Sequence, residues 1–301
     1  MSSFQRIAGG CWPVVWSRVA ALYRELPVTS PSGWRWLSAW LVQTWAEAGA
    51  APPTVVVSGG QGAGKSTLTA LLVEALGRAG VTAVGVGLDD YYLGRQARGA
   101  LAREVHPLFV TRGVPGTHDV AHLRRSLTAL RQPGEVLLPR FDKGTDEPCP
   151  ESLWRTVAAP VETVVLEGWC LGARAASLEQ LRTPINALER AEDADGRWRE
   201  YVNKRLGDDY ARLLDGSEFL MYLQVPDLDA VIRWRAAQEA QSPVAQRMNA
   251  VALRRFIAHF ERLTRSLDRQ LAGRCTLTVG LGPRHGIRSL GVAMSGPMPG
   301  K

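Results

Sequence analysis

The sequence predicts an α/β fold of three layers around a central, mostly parallel sheet, and three observations carry that expectation. Thr54-Val55-Val56-Val57 is a short β-branched run of the kind buried on both faces of a sheet. A glycine-rich turn follows, and then a helical pattern at Leu68, Leu71, Leu72, Ala75 and Leu76, closed by Gly80. Val81–Leu88 reads as the next strand, and strand–helix–strand in this order implies a right-handed parallel unit.

Ahead of that unit, residues 1–50 read as helical and carry six of the ten tryptophans. Trp12, Trp16, Val19 and Tyr23 make one helical stripe. Leu37, Trp40, Leu41 and Trp45 make a second after the break at Ser30-Pro31-Ser32-Gly33. Tryptophan stripes of this kind fit helices packed on a main domain. Pro52-Pro53 ends them, because a proline disfavours helix in the residue before it. Beyond the first unit, strands are expected at Thr163–Leu166, Glu218–Val225 and Thr276–Leu281. The clearest helix spans 249–272. Leu253, Phe256, Ile257, Phe260, Leu263, Leu267 and Leu271 make its buried face, and its arginines fall mostly off that stripe. Ala191–Arg199 is polar and reads as a loop. The expected organisation is an N-terminal helical extension over 1–51, a main domain over 52–293 and a disordered tail over 294–301.

Composition narrows the function classes. At 301 residues and 46% hydrophobic, the chain can build one sizeable core. No stretch approaches the roughly 18 uninterrupted apolar residues of a membrane helix. Gly9, Gly10 and Pro13 interrupt the early apolar stretch, so a signal peptide is not expected. The four cysteines have no CxxC spacing and the five histidines no HExxH spacing, so neither a zinc site nor a redox motif is indicated. Reduced thiols and a cytoplasmic location fit this pattern. The net charge of +7 suits ATP and an anionic substrate as well as nucleic acid. No block of like charges exists, so nucleic acid is not an expected partner, and a monomer or homodimer is expected.

The strongest motif is Gly59-Gly60-Gln61-Gly62-Ala63-Gly64-Lys65-Ser66, followed by Thr67. It matches GxxxxGK[ST] between a strand and a helix, the context this phosphate-binding loop requires. Glycines let backbone N–H groups converge on phosphates, and the helix N-terminus adds its positive end. Lys65 is expected to reach the β- and γ-phosphates and Ser66 to offer a hydroxyl to Mg²⁺. This makes the fold a P-loop NTPase and fixes nucleotide binding, without fixing the reaction.

Ligands of open α/β sheets bind beyond the carboxyl ends of the strands. Asp89-Asp90 and Glu167 lie at such ends. A kinase needs one carboxylate to orient or deprotonate the attacking hydroxyl and one to hold the metal or its waters. A helix cap or a surface acid is the structural alternative. On an extended strand end, Asp89 and Asp90 would point to opposite faces, so only one meets the phosphates easily. Arg112 and His118 stand in a glycine–proline loop, and Pro139-Arg140-Phe141-Asp142-Lys143 forms a second cluster. Together they suit a clamp on an acceptor carboxylate or phosphate, or else loop punctuation with solvated charges.

Taken together, GGQGAGKST, LDDYYL (88–93), RGVPGTHD (112–119), LPRFDKG (138–144) and VVLEGW (164–169) are similar to the P-loop D-glycerate 3-kinase family. That family stands with phosphoribulokinase, uridine kinase and the bacterial type of pantothenate kinase. WREYVNKRL (198–206), VPDLDAVIRWRAAQE (225–239) and RFIAHFERLTR (255–265) extend the resemblance to the C-terminus. The resemblance implies an ATP-dependent kinase of a small hydroxy acid, D-glycerate first, with a nucleoside, pantothenate or another sugar acid as alternatives. It implies Asp89 as catalytic base, Asp90 beside the substrate and Glu167 beside the metal. It places Arg112, His118, Arg140 and Lys143 near the acceptor, and Arg233 and Arg235 in a helical lid over the phosphates. Two segments depart from the family pattern. Lys143 is followed by the short Gly144-Thr145-Asp146-Glu147-Pro148, which borders the acceptor region. Gly282-Pro283-Arg284-His285 lacks an acid before the histidine, in the region of the adenine contacts. A GTPase would need an NKxD loop, which Asn203-Lys204-Arg205-Leu206 does not supply, and an ABC-type ATPase would need a separate LSGGQ segment. A nucleotide-regulated binding protein remains as the non-enzymatic alternative.

Overall fold

The computed structural model describes residues 14–215, 217–240, 247–271 and 274–292. The expected tail over 294–301 and Trp12 of the first stripe lie outside them. The strands are β1 (Thr54–Gly59), β2 (Ala83–Gly87), β3 (Gly134–Leu138), β4 (Phe141–Asp142), β5 (Glu147–Pro148), β6 (Arg155–Ala159), β7 (Thr163–Gly168), β8 (Phe219–Gln224), β9 (Leu277–Leu281) and β10 (Ile287–Val292). Six of them form the main sheet in the order β10-β9-β8-β1-β7-β2. All neighbours are parallel except β10, which runs antiparallel to β9.

The β-branched run becomes the central strand because both faces are covered. Val55 and Val57 join the core with the helices Ser32–Glu47 and Lys65–Arg78, while Val56 joins the opposite core with Leu166 and Phe260. Register then aligns the functional ends: Val57 and Gly87 both lie opposite Glu167. The loops after β1 and β2 and the end of β7 therefore open at one edge of the sheet, as parallel α/β sheets dictate.

Three tryptophans of the N-terminal helices are core, and Trp16 and Trp36 pack against it partly buried. Trp34, Trp40 and Trp45 are buried on Ser32–Glu47, and Val19 and Leu22 on Trp16–Glu25. Trp45 meets Phe219 of β8 edge-on, with ring centroids 5.2 Å apart. Arg35 is buried between the two helices, donating to the Tyr23 carbonyl at 2.8 Å while covering its ring.

Several elements differ from expectation. The second strand is shorter, because Leu88–Tyr91 turns into a 3-10 helix. The antiparallel pairs β3–β6 and β4–β5 branch off between β2 and β7. Their half-exposed, partly two-residue strands leave no apolar run to read. The polar stretch Ala191–Arg199 is a loop only over 193–196. It spans the end of helix Ala187–Glu192 and the start of helix Arg197–Arg205. Asp193 between them is fully buried, accepting from the Trp198 amide at 2.8 Å and from Arg199 Nη1 at 2.8 Å. Part of the polarity thus belongs to a buried ion pair, while Glu192, Asp195 and Arg197 face solvent. Among the described residues, no helix is long and apolar enough to cross a membrane.

Replacing Trp45 by Ala is expected to destabilise the whole domain by about 3–5 kcal/mol, the usual cost of deleting a large buried aromatic. Urea denaturation followed by far-UV circular dichroism measures it. A main transition that does not move would mean the N-terminal helices fold apart from the sheet.

Candidate active site

The site begins with the path of the backbone between β1 and the helix Lys65–Arg78. A Cβ on Gly59 would sit 2.8 Å from the Leu223 carbonyl oxygen, and one on Gly62 2.8 Å from Trp234 Cβ. Both residues also have positive φ, +156° and +73°, so only glycine follows this path without strain. The loop is pinned from outside as well. His285 Nε2 donates to the Gly62 carbonyl at 2.7 Å, since that oxygen can only accept. The imidazole stacks on Trp234 at 4.1 Å, and Trp234 Nε1 donates to the Pro283 carbonyl at 2.8 Å. The segment that departs from the family pattern at 282–285 thus braces the phosphate loop.

Lys65, Ser66, Asp89, Lys143 and Glu167 converge on one cavity of about 200 Å³ beside this loop. Lys65 Nζ donates to the Gly60 carbonyl at 3.0 Å. Ser66 Oγ donates to Glu167 Oε1 at 2.5 Å. Asp89 Oδ2 lies 2.6 Å from Lys143 Nζ, and Asp89 Oδ1 accepts from Tyr92 Oη at 2.8 Å. The electrostatics divide these groups. Burial lowers the pKa of Lys65, against the pull of Glu167 and Asp89. Burial raises that of Glu167, opposed by Lys65. Burial pushes Asp89 up too, but the charge and hydrogen bond of Lys143, with help from His118 and Lys65, hold it down at about 2. Asp89 is thereby the firmly ionised acid of the cleft.

Asp89 and Asp90 stand in the 3-10 turn and not on an extended strand, so their side chains are splayed by the turn instead of alternating across a pleat. Asp90 Oδ1 accepts from the Phe141 amide at 3.3 Å, and burial raises its pKa, with Asp89 adding to the rise. It lines a neighbouring cavity of about 680 Å³ with Arg140, and that cavity shares Ser66, Asp89, Lys143 and Glu167 with the first. Asp90 and Glu167 flank Gly87, whose Cβ would lie 3.2 Å from Asp90 Oδ2 and 3.6 Å from Glu167 Oε1. Hydroxyl and carboxylate oxygens gathered this way are the hard donors Mg²⁺ takes. The cradle of Gly59 and Gly62 with Lys65 has the shape and charge for nucleotide phosphates.

The remaining residues are placed as follows. Arg112 lines the phosphate-loop cavity, but its guanidinium is held by Asp146, which also pairs with the buried Arg98. His118 lies behind the cleft, stacked on Tyr92 at 4.4 Å with Nδ1 2.5 Å from Tyr210 Oη. Burial pushes it down to about 4, so it is neutral at pH 7. Arg235 reaches the cavity wall, paired with Glu239 and lying over Phe256. Arg233 does not. It is exposed, 3.9 Å from Asp227. Sequence reasoning missed Tyr92, which stands inside the LDDYYL motif, and Asp146, which stands inside the short segment after Lys143. Arg98 gave no signal, since its partner is far along the chain.

A phosphate loop on a parallel α/β sheet, with an acid and a lysine in the same cleft, places the protein in the P-loop class. No protein-family model matches the chain. The uncharacterized kinase mug58 of Schizosaccharomyces pombe is 33% identical over 193 residues, covering 61% of this chain and 68% of that protein. The chloroplastic D-glycerate 3-kinase of Arabidopsis thaliana is 26% identical over 213 residues, 67% of this chain and 43% of that enzyme. A solved D-glycerate 3-kinase from Cryptococcus neoformans var. grubii shares the fold with a TM-score of 0.69, at 23% identity over 86% of this chain and 98% of that one. The YGR205w protein does so with a TM-score of 0.67, at 23% identity over 88% and 100%. The chain belongs to the family of P-loop kinases that includes the fission-yeast kinase and the D-glycerate 3-kinases, and it is an ATP-dependent kinase.

The buried neutral His118 has a consequence for stability. Its folded pKa lies below the unfolded value of 6.5, so its contribution is complete above that pH and is lost as pH falls towards 4. His118→Phe, which keeps the stacking partner's bulk, is expected to remove about 2 kcal/mol of the stability lost by the wild type between pH 7 and pH 5. Urea titrations of both proteins at the two pH values test this. Parallel losses would mean that His118 takes up its proton in the folded state.

Proposed function

We propose that the chain transfers the γ-phosphoryl group of ATP to a hydroxyl of a small hydroxy acid, with D-glycerate as the first candidate. The observation that carries this reading is the Asp89–Lys143 pair in the phosphate-loop cavity. The D-glycerate 3-kinases among the relatives support the choice of acid.

Gly59 through Thr67 cradle the phosphates with backbone N–H groups, and Lys65 moves its ammonium from the Gly60 carbonyl to phosphate oxygen. Ser66 and Glu167 would hold Mg²⁺, with Asp90 beside them, and the ion supplies charge neutralisation on the phosphates. Arg235 faces the same cavity from the lid helix Leu228–Glu239, while Arg233 would need that helix to turn.

Asp89 is the acid–base residue, and its partner explains selectivity. A carboxylate held near 2 is a poor base towards an alcohol. An acceptor carboxylate attracts Lys143, and as the ammonium leaves Asp89 the remaining burial raises the Asp89 pKa. Asp89 then takes the hydroxyl proton as the oxygen–phosphorus bond forms and ADP departs. Tyr92 keeps Asp89 Oδ1 oriented throughout. An uncharged nucleoside cannot compete for Lys143, so it leaves Asp89 idle. Arg112 and Arg140 add positive potential on either side, and His118 holds Tyr92 in place from behind.

ADP release measured with D-glycerate, pantothenate and uridine tests the acceptor. D-glycerate is expected to give the highest kcat/KM. Turnover of uridine or pantothenate with none of D-glycerate would refute the acceptor and leave the kinase.

Asp89→Asn is expected to lose ~10²–10⁴-fold in kcat, the usual contribution of a general base, while ATP still binds. Asp90→Asn should lose clearly less. Steady-state kinetics of the two variants decide it, and a larger loss at Asp90 would reverse their roles.

A further inference from the structure

Away from the phosphate cleft, the long helix Ala250–Leu271 walls a second cavity of about 570 Å³. The helices Leu178–Arg182 and Arg197–Arg205 supply its other walls. Its body is apolar, with Leu181, Ile185, Val202 and Leu263. Its size lies within the range of small-molecule sites.

Two buried polar atoms on residues lining this cavity have no hydrogen-bond partner among the described residues, Trp198 Nε1 and His259 Nε2. Their residues are only 3% and 4% exposed, and their rings meet edge-on at 5.7 Å. The chemistry of each atom is determined. An indole N–H can only donate. His259 Nδ1 lies 2.9 Å from the Arg255 carbonyl oxygen, which can only accept, so Nδ1 carries the proton and Nε2 presents a bare lone pair. Burial pushes this imidazole down to about 4, so the neutral form persists at pH 7. A buried donor and a buried acceptor left unmet are both unfavourable. A hydroxyl is the group that can both accept from an indole N–H and donate to an imidazole lone pair.

The rim carries the complementary charge. Arg174 and Arg269 are exposed on it, and neither makes an ion pair among the described residues. Arg262 and Arg265 are already committed, to Glu189 and Glu261.

We propose that this cavity is a second ligand site, which takes a small hydroxylated organic anion. The anionic group meets Arg174 and Arg269, the apolar body fills the middle, and the hydroxyl reaches Trp198 and His259. The site is distinct from the phosphate cleft, although one helix serves both: Phe256 and Phe260 line the cleft, while His259 and Leu263 line the second cavity.

The test uses the full ¹⁵N-labelled chain and its indole N–H resonances, with that of Trp198 assigned by its loss in Trp198→Phe. The probes are 3-(4-hydroxyphenyl)propionate and its analogue without the hydroxyl, 3-phenylpropionate. The Trp198 resonance is expected to shift saturably, with roughly tenfold tighter binding of the hydroxylated acid, the worth of one hydrogen bond of ordinary strength. Arg174→Ala with Arg269→Ala, both at the surface, should weaken binding roughly tenfold or more. His259→Phe should erase the preference for the hydroxylated acid. Saturating ATP should leave the dissociation constant within about twofold. The proposal is overturned by the absence of a saturable shift, or by equal binding of the two acids, which would mean that water serves the two buried atoms. A dissociation constant that rises in proportion to ATP would overturn it too, because the probe would then occupy the phosphate cleft.

Discussion

The glycine-only path of the backbone from Gly59 to Gly64 is the constraint on which the rest of the molecule converges. Four segments remote in sequence close on it. Leu223 at the end of β8 lies under Gly59, and Trp234 of the helix Leu228–Glu239 lies over Gly62. His285, between β9 and β10, grips the Gly62 carbonyl. Trp34 of the N-terminal helix Ser32–Glu47 lies against Gly64. A loop that presents several N–H groups to one anion has no internal ladder to hold it, so its shape must come from neighbours. This gives the antiparallel β10 hairpin and the tryptophan-rich helices a common role in the fold: they hold the path of this loop.

The cleft next to this cradle separates its ionisable groups by environment. Burial works against charge on Lys65 and on Glu167, in opposite directions of pKa, and each is kept in place partly by the other. Asp89 escapes that fate through Lys143. Two carboxylates at one sheet edge therefore differ in character. One sits with a serine hydroxyl in a site suited to a hard cation, and the other is a fixed negative charge on a movable lysine. On the proposed reading, such a division lets one small cavity serve both charge neutralisation and proton transfer.

Much of this was legible in the sequence, and what was not has identifiable causes. The five parallel strands stood out because burial on both faces demands continuous apolar runs, as in Val55-Val56-Val57 and Val164-Val165-Leu166. The long C-terminal helix stood out because one face carries the whole apolar stripe. β10 did not, since an edge strand with a polar outer side, Ile287–Val292, needs little apolar pattern. The reading of Ala191–Arg199 as a loop holds for 193–196 but missed the helix ends on either side, where Asp193 and Arg199 cancel each other inside the protein, because composition alone cannot tell a paired buried charge from a solvated one. In the site, local motifs located Lys65, Ser66, Asp89 and Glu167. Pairings across long sequence distances, such as Asp146 with Arg98 and Arg112, leave no local mark.

That last pairing gives the shortened segment after Lys143 a physical meaning. Asp142 accepts from the Gly144 amide and the Thr145 hydroxyl and so tightens the turn, and Asp146 follows with a positive φ of 60°. The turn aims the Asp146 carboxylate at two guanidinium groups at once. Arg112 is thus oriented and partly neutralised before any acceptor arrives, and its planar fork is already engaged. Lys143 stands at the other end of the same turn, on a flexible half-exposed stem, and its ammonium pairs with Asp89. Of the two cations the turn controls, one is fixed and one is free to move. On the proposed reading, an acceptor carboxylate therefore registers mainly through Lys143, and recognition of the acceptor and release of the base become the same event.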